Sequence, residues 1–244
     1  MESDDPSSRS NSPPPQRRRI CGNCDRPQAV CLCHVLPTTP ITTNTRILII
    51  HHPHEAHHKL NTARLLTKSV RHVTTHLSRK LLRSHLTDQS PFATIYLFPP
   101  SPTTPAVTLS DLKQTLNNHD NVLLIAFDAT WKHAKEMVKA SEGVLESVGA
   151  IRACLDVDEN LTGGSIYDDE LVLRKEPFKG CVSTLEAVAR VLGAIEDKGD
   201  DIERVLIGVL REMVRLQAGF LKPVKLRPKL LKKSKQNEMK TLLE

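Results

Sequence analysis

Four cysteines crowd one stretch, "CGNCDRPQAVCLC", as C-x2-C-x6-C-x-C at Cys21, Cys24, Cys31 and Cys33. Four thiolates within 13 residues can close a tetrahedral site, the arrangement Zn²⁺ takes in structural roles. Gly22 and Asn23 suit the tight turn that lets the first pair chelate. A redox dithiol pair and an Fe–S ligand set are the alternatives. Four ligands so close together leave no open position, which favours structural zinc. His34 is a conceivable substitute ligand, although four cysteines already suffice. Cys154 and Cys181 stand apart and read as ordinary buried thiols.

A second cluster, "HHPHEAHH" at 51–58, holds five histidines in eight residues. Within it, His54-Glu55-Ala56-His57-His58 fits H-E-x-x-H, which in zinc proteases sets two histidines on one helical face with Glu as general base. Two features argue against that reading. Pro53 puts the first histidine at a helix start rather than inside a helix, and such a dense run of histidines makes chance matches easy. The plainer expectation is a strand end followed by a helix N-terminus, where Glu55 suits the dipole and exposed amides meet an anion.

The third candidate is "LLIAFDATWKHAKEM" at 123–137, where Asp128 ends an apolar run and the only tryptophan, Trp131, follows three positions later. Here a strand gives way to a helix, and Asp128 or a neighbour must cap it.

The elements that would hold these groups alternate in a βα manner. "TRILII" (45–50), "ATIYLF" (93–98), "NVLLIAF" (121–127), "IRACLDV" (151–157) and "DELVLRK" (169–175) read as strands. The run 121–127 is typical of a strand buried on both faces of a parallel sheet. Helical spacing marks 56–70, "WKHAKEMVKAS", "STLEAVARVLGAIE" and "DIERVLIGVLREMVRLQAGF". "PPSPTTPAVTLS" is a Pro-rich connector whose Ser110 caps the helix "DLKQTLNN". The fold class is therefore α/β, with a mostly parallel sheet flanked by helices and a small N-terminal Cys cluster. Four regions are expected: a disordered Ser-, Pro- and Arg-rich arm at 1–20, a four-cysteine zinc-binding segment at 21–40, an α/β domain at 41–220, and a basic tail at 221–244.

Bulk composition adds limits. The chain has 244 residues, a net charge of +6 and only 3% aromatics, so its core rests on aliphatic side chains. The positive charge is a mild push toward a polyanionic partner. No apolar run approaches the roughly 18 residues of a membrane span, and the N-terminus lacks the apolar core of a secretory signal. A reducing compartment, cytoplasmic and/or nuclear, is expected, and there clustered cysteines favour metal over disulfides.

Taken in order, the motifs resemble those of the DTW-domain family, tRNA-uridine aminocarboxypropyltransferases related to the SPOUT class of RNA-modifying enzymes. The Cys cluster comes first, then His52-Pro53-His54-Glu55 with Asn61-Thr62-Ala63-Arg64, then Asp128-Ala129-Thr130-Trp131, then Ser183-Thr184-Leu185-Glu186-Ala187. Ala129 stands where bacterial relatives are expected to carry Gly, at a position the motif leaves open. The resemblance spans about residues 21–220. It implies a SPOUT-like, trefoil-knotted domain, an exception to ordinary chain topology. It also implies transfer of the 3-amino-3-carboxypropyl group of S-adenosylmethionine to N3 of a uridine in tRNA, with release of methylthioadenosine. A SPOUT-type RNA methyltransferase and a non-catalytic zinc-containing RNA-binding module are the competing readings, since fold alone does not separate them.

On that resemblance, the residues acquire roles. The sulfonium donor has three carbons open to displacement, so the site chooses by presenting one in line with the nucleophile. Uridine N3 carries a proton that must be lost, and Asp128 at a strand's C-terminal end is the expected base. Trp131 stacks on a base or faces the sulfonium, or else packs as a core anchor. Thr130 bonds a ligand or the backbone. Ser183, Thr184 and Glu186 open a capped helix whose start suits a carboxylate or phosphate, with Arg174 as a partner for one of these anions. Arg64 and Glu55 complete the expected binding set. Arg17, Arg18 and Arg19, together with the C-terminal tail, suit tRNA phosphates.

Overall fold

Six strands form one sheet: β1 (Thr45–His51), β2 (Val73–Leu77), β3 (Ala93–Leu97), β4 (Val107–Thr108), β5 (Val122–Asp128) and β6 (Ile151–Cys154). Their order across the sheet is β2-β1-β5-β3-β6-β4, and every neighbouring pair runs parallel. The structure is a computed structural model that describes residues 19–56, 58, 60–86, 93–116, 121–155 and 182–220. The expected strand "DELVLRK", the arm before Arg19 and the tail after Phe220 lie outside the described residues.

Parallel strands need crossovers, and among the described residues five α-helices supply them or cover the sheet: α1 (Ala63–Ser69), α2 (Leu109–Thr115), α3 (Trp131–Ser147), α4 (Thr184–Ile195) and α5 (Gly199–Ala218). The period-2 alternation of β1 sorts its side chains between two cores. Ile47 and Ile49 join Leu124, Ala126 and Ile95 beneath α1, α2, α4 and α5. Leu48 and Ile50 join Ile125, Phe127 and Tyr96 against Met137, Val138 and Leu145 of α3. The result is three layers, with the central strands buried on both sides, as their unbroken apolar runs require. The last two helices cross closely: a Cβ on Gly199 would overlap the Gly193 carbonyl, so glycine is the residue that fits there.

The Cys segment is not a separate lobe. Cys24, Leu32 and Leu36 share the core that contains Met213 and Val214 of α5. His34 Nε2 lies 2.8 Å from Glu212 Oε1 on the same helix, so it serves this contact rather than the thiolate cluster.

Four local expectations are revised. The helix expected over 56–70 begins only at Ala63, because residues 53–56 form turns closed by Glu55 N to His52 O at 2.9 Å. Helix α2 starts two residues before Asp111, at Leu109, with Thr108 as its N-cap, not Ser110. The Pro-rich connector contains the two-residue edge strand β4. The polar strand β2, "VTTHL", has no apolar periodicity to announce it. It is ordered by its ladder to β1, with Leu77 left 64% exposed at the edge.

Candidate active site

In the central pair of strands, register sets His51 of β1 directly beside Asp128 of β5. Asp128 is 8% exposed, and both carboxylate oxygens are engaged. The Thr184 hydroxyl donates to Oδ1 at 2.6 Å. Nδ1 of His51 lies 2.5 Å from Oδ2, a close electrostatic approach whose angle falls short of an aligned hydrogen bond. The Asn61 amide is 3.5 Å from the same oxygen, 3.2 Å from His51 Nε2 and 3.1 Å from the Glu55 carbonyl. Nε2 of His51 thus faces Asn61, and its Nδ1 edge faces Asp128. Next along the chain, the Thr62 hydroxyl accepts from Leu185 N at 3.3 Å, which locks the start of α4 onto the Asn61–Arg64 turn. One carboxylate thus ties together residues 51–61, 128 and 184, three stretches far apart in sequence.

Helix capping around this corner is done by other groups. Thr130 is the N-cap of α3, its hydroxyl accepting from His133 N at 3.4 Å. Ser183 caps α4, its hydroxyl accepting from Glu186 N at 3.2 Å. Asp128 is therefore free of the capping role that the sequence left open for it. Glu186 is fully buried and meets Arg190 at 2.8 Å across one helical turn.

Beyond the carboxyl ends of β3, β5 and β6 lies a cleft of about 380 Å³, inside the range of small-molecule sites. Leu97, Phe98, Phe127, Ala153 and Val182 give it an apolar wall, while Trp131 and Thr184 bring a ring and a hydroxyl. Trp131 sits at the first position of α3 with its ring 6.1 Å from that of Phe98, tilted by 48°. Asp128 is not a lining residue. It stands behind Thr184, whose hydroxyl bridges the carboxylate and the cleft.

The remaining expected binding residues are placed as follows. Arg64 is exposed on α1 and donates to the Ala56 carbonyl at 2.6 Å. Glu55 is buried in the turn after β1, not at a helix start, because α1 begins eight residues later. Arg174, Cys181 and His57 lie outside the described residues. The protease pattern fails geometrically, since His54 and His58 occupy turns and share no helical face. His51, Asn61 and Phe98 belong to this corner or its cleft without having been singled out for it. For His51 the sequence signal was its place at the end of a strand that pairs with the strand of Asp128.

At the Cys segment, the sulfurs of Cys21, Cys24, Cys31 and Cys33 all lie within 4.8 Å of one another. Cys21 and Cys33 sulfurs are 3.4 Å apart and those of Cys24 and Cys31 3.6 Å. A tetrahedral ion with Zn–S bonds near 2.3 Å places its sulfurs about 3.8 Å apart, so the set fits zinc. Backbone amides of Cys24 and Asn23 pull the Cys21 thiol down to about 6. The Cys21 sulfur in turn pushes Cys33 up to about 12. Asp25, at φ 55°, turns the chain just after the first pair.

Comparison with known proteins agrees with this arrangement. The DTW domain family model matches residues 18–218. The chain is 61% identical to tRNA-uridine aminocarboxypropyltransferase A of Arabidopsis thaliana, over 91% of this chain and 89% of that protein. It is 28% identical to tRNA-uridine aminocarboxypropyltransferase 2 of Drosophila melanogaster, over 84% of this chain and 77% of the relative. No solved structure matches the chain. With all four motifs in order, three of them converging on Asp128, the chain belongs to the DTW-domain family.

Proposed function

We propose that this protein is a tRNA-uridine aminocarboxypropyltransferase. It moves the 3-amino-3-carboxypropyl group of S-adenosylmethionine to N3 of a uridine in tRNA. The relatives are named as tRNA-uridine aminocarboxypropyltransferases. The observation in the fold that carries it is the apolar cleft at the strand ends, with Thr184 between it and the buried Asp128 carboxylate.

In this reading the uridine N3 attacks the methionine Cγ, the S–Cγ bond breaks, and its electron pair returns to sulfur to give methylthioadenosine. The N3 proton passes to the Thr184 oxygen as the Thr184 proton moves to Asp128 Oδ1, which leaves the hydroxyl restored and the carboxyl protonated. His51 and Asn61 keep Asp128 oriented. Trp131 and Phe98 present ring surface to adenine or uracil. Thr130 and Ser183 hold the two helix starts at the cleft. Arg64, Arg174 and the basic termini meet tRNA phosphates, Glu55 anchors the turn that carries Asn61, and the four-cysteine set holds a structural zinc ion. The trefoil knot of the SPOUT class, the boundaries at 20, 40 and 220, and a cytoplasmic or nuclear location belong to the same reading; the family resemblance and motif order support them. Among the described residues no helix is long and apolar enough to cross a membrane.

The test is incubation of the protein and unmodified tRNA with adenosylmethionine labelled on the methyl carbon or on the carboxyl carbon. Carboxyl label alone should enter tRNA. Methyl label alone would mean a methyltransferase. Neither label, with calorimetry showing no adenosylmethionine binding, would mean a non-catalytic RNA-binding module.

A further inference from the structure

The turn after β1 and the first turn of α3 bring three imidazoles together outside the Asp128 network. The rings of His52 and His133 stack with centroids 4.2 Å apart and planes within 10°. His54 meets both edge-on, at 4.9 Å from His52 and 5.3 Å from His133. One ring nitrogen from each lies within 4.8 Å of the other two. His52 is buried, His133 half-buried and His54 exposed, so the cluster opens to solvent on one side. We infer that His52, His54 and His133 form a second metal site, which takes a divalent transition-metal ion of the zinc type with one coordination position left open.

The donor chemistry fits such an ion. Imidazole suits borderline cations, and three histidines with a vacant fourth position is a recurrent zinc arrangement. Closing the nitrogen separations to the about 3.4 Å expected around an ion with Zn–N bonds near 2.1 Å turns the stacked His52 and His133 rings so that their lone pairs converge. A ligating histidine usually donates its other ring N–H to a fixed acceptor. Nδ1 of His133 is 3.1 Å from Thr130 Oγ1, which leaves Nε2 for the metal.

The site adjoins the candidate active site without sharing a side chain with it. His52 follows His51 of the Asp128 network, and His133 follows the cleft-lining Trp131 by two residues.

Zinc-loaded protein, purified without a histidine tag, is titrated with Co²⁺ and followed by visible absorption and metal analysis. The expected result is one further equivalent bound, with nitrogen-type ligand-field bands and no thiolate charge-transfer band. His54→Ala should weaken that binding by at least about tenfold. His133→Gln should do the same. Because His54 is exposed, its variant keeps the fold and the test stands even if the His133 variant is unstable. Absence of a further equivalent, thiolate bands accompanying it, or a Co²⁺ affinity unchanged in His54→Ala would each overturn the site.

Discussion

The cysteine segment and the Asp128 corner each gather four polar groups, but by opposite means. Cys21 to Cys33 do so within 13 residues, through a tight turn and amide contacts to sulfur. Asp128 draws His51, Asn61 and Thr184 from strand ends and turns that meet only because β1 and β5 pair in register. The first assembly is local, and its four sulfurs are spaced to hold an ion. The second is long-range and needs the whole sheet. The difference predicts how each fails: loss of metal releases one segment, whereas one misplaced group at Asp128 spoils chemistry in a protein that still folds.

The largest effect expected is at the cysteines. Cys24→Ser, or chelation, should release the ion, loosen residues 21–36 and uncover Leu32 and Leu36 from the shared core. At about 1.5–3 kcal/mol per buried leucine, that is a loss of roughly 3–6 kcal/mol. Metal analysis with thermal melting checks it. An unchanged melting temperature in metal-free protein would show that packing alone holds the segment.

Next comes the carboxylate. Asp128→Asn can still accept from Thr184, but its new amide faces the proton-bearing groups of His51 and Asn61. Leaving those donors unmatched should cost about 1–3 kcal/mol of stability. Transfer should fall by about 10²–10⁴-fold in single turnover, with tRNA affinity nearly intact. Thr184→Val should fall comparably while Thr184→Ser, which keeps the hydroxyl, stays near the parent rate. A Val variant at full rate would remove Thr184 from the proton path and leave Asp128 as a strut.

This contrast also explains what could be read in advance. The Cys set was legible because its spacing is its geometry. The parallel sheet was legible because burial on both faces writes an unbroken apolar run such as 121–127. Strand β2 was not, because an edge strand is defined by its neighbour rather than by its own side chains. The role of Asp128 was only half legible: motif and strand end marked it, but its partners depend on register. His133 reads as an ordinary helical residue until α3 is laid beside the turn of His52.

The smallest effect tests the seam between the two assemblies. Glu212 of α5 accepts from Arg215 at 2.7 Å and lies 2.8 Å from His34, clamping the cysteine segment to the last helix. The Arg215 hydrogen bonds, followed by that of His34, hold the carboxyl at about 2, below its ordinary 4.5. A depressed carboxylate contributes stability fully above its ordinary value, and the contribution fades as pH falls from about 4.5 toward 2. Arg215 is 68% and His34 56% exposed, so solvent screening limits the gain. Glu212→Gln should therefore cost no more than about 1 kcal/mol at neutral pH. The gap between variant and parent should close on acidification through that window, as read by denaturant melts at pH 7, 4 and 3. A gap that fails to narrow between pH 7 and pH 3 would mean that packing of the glutamate stem, and not its charge, holds the seam.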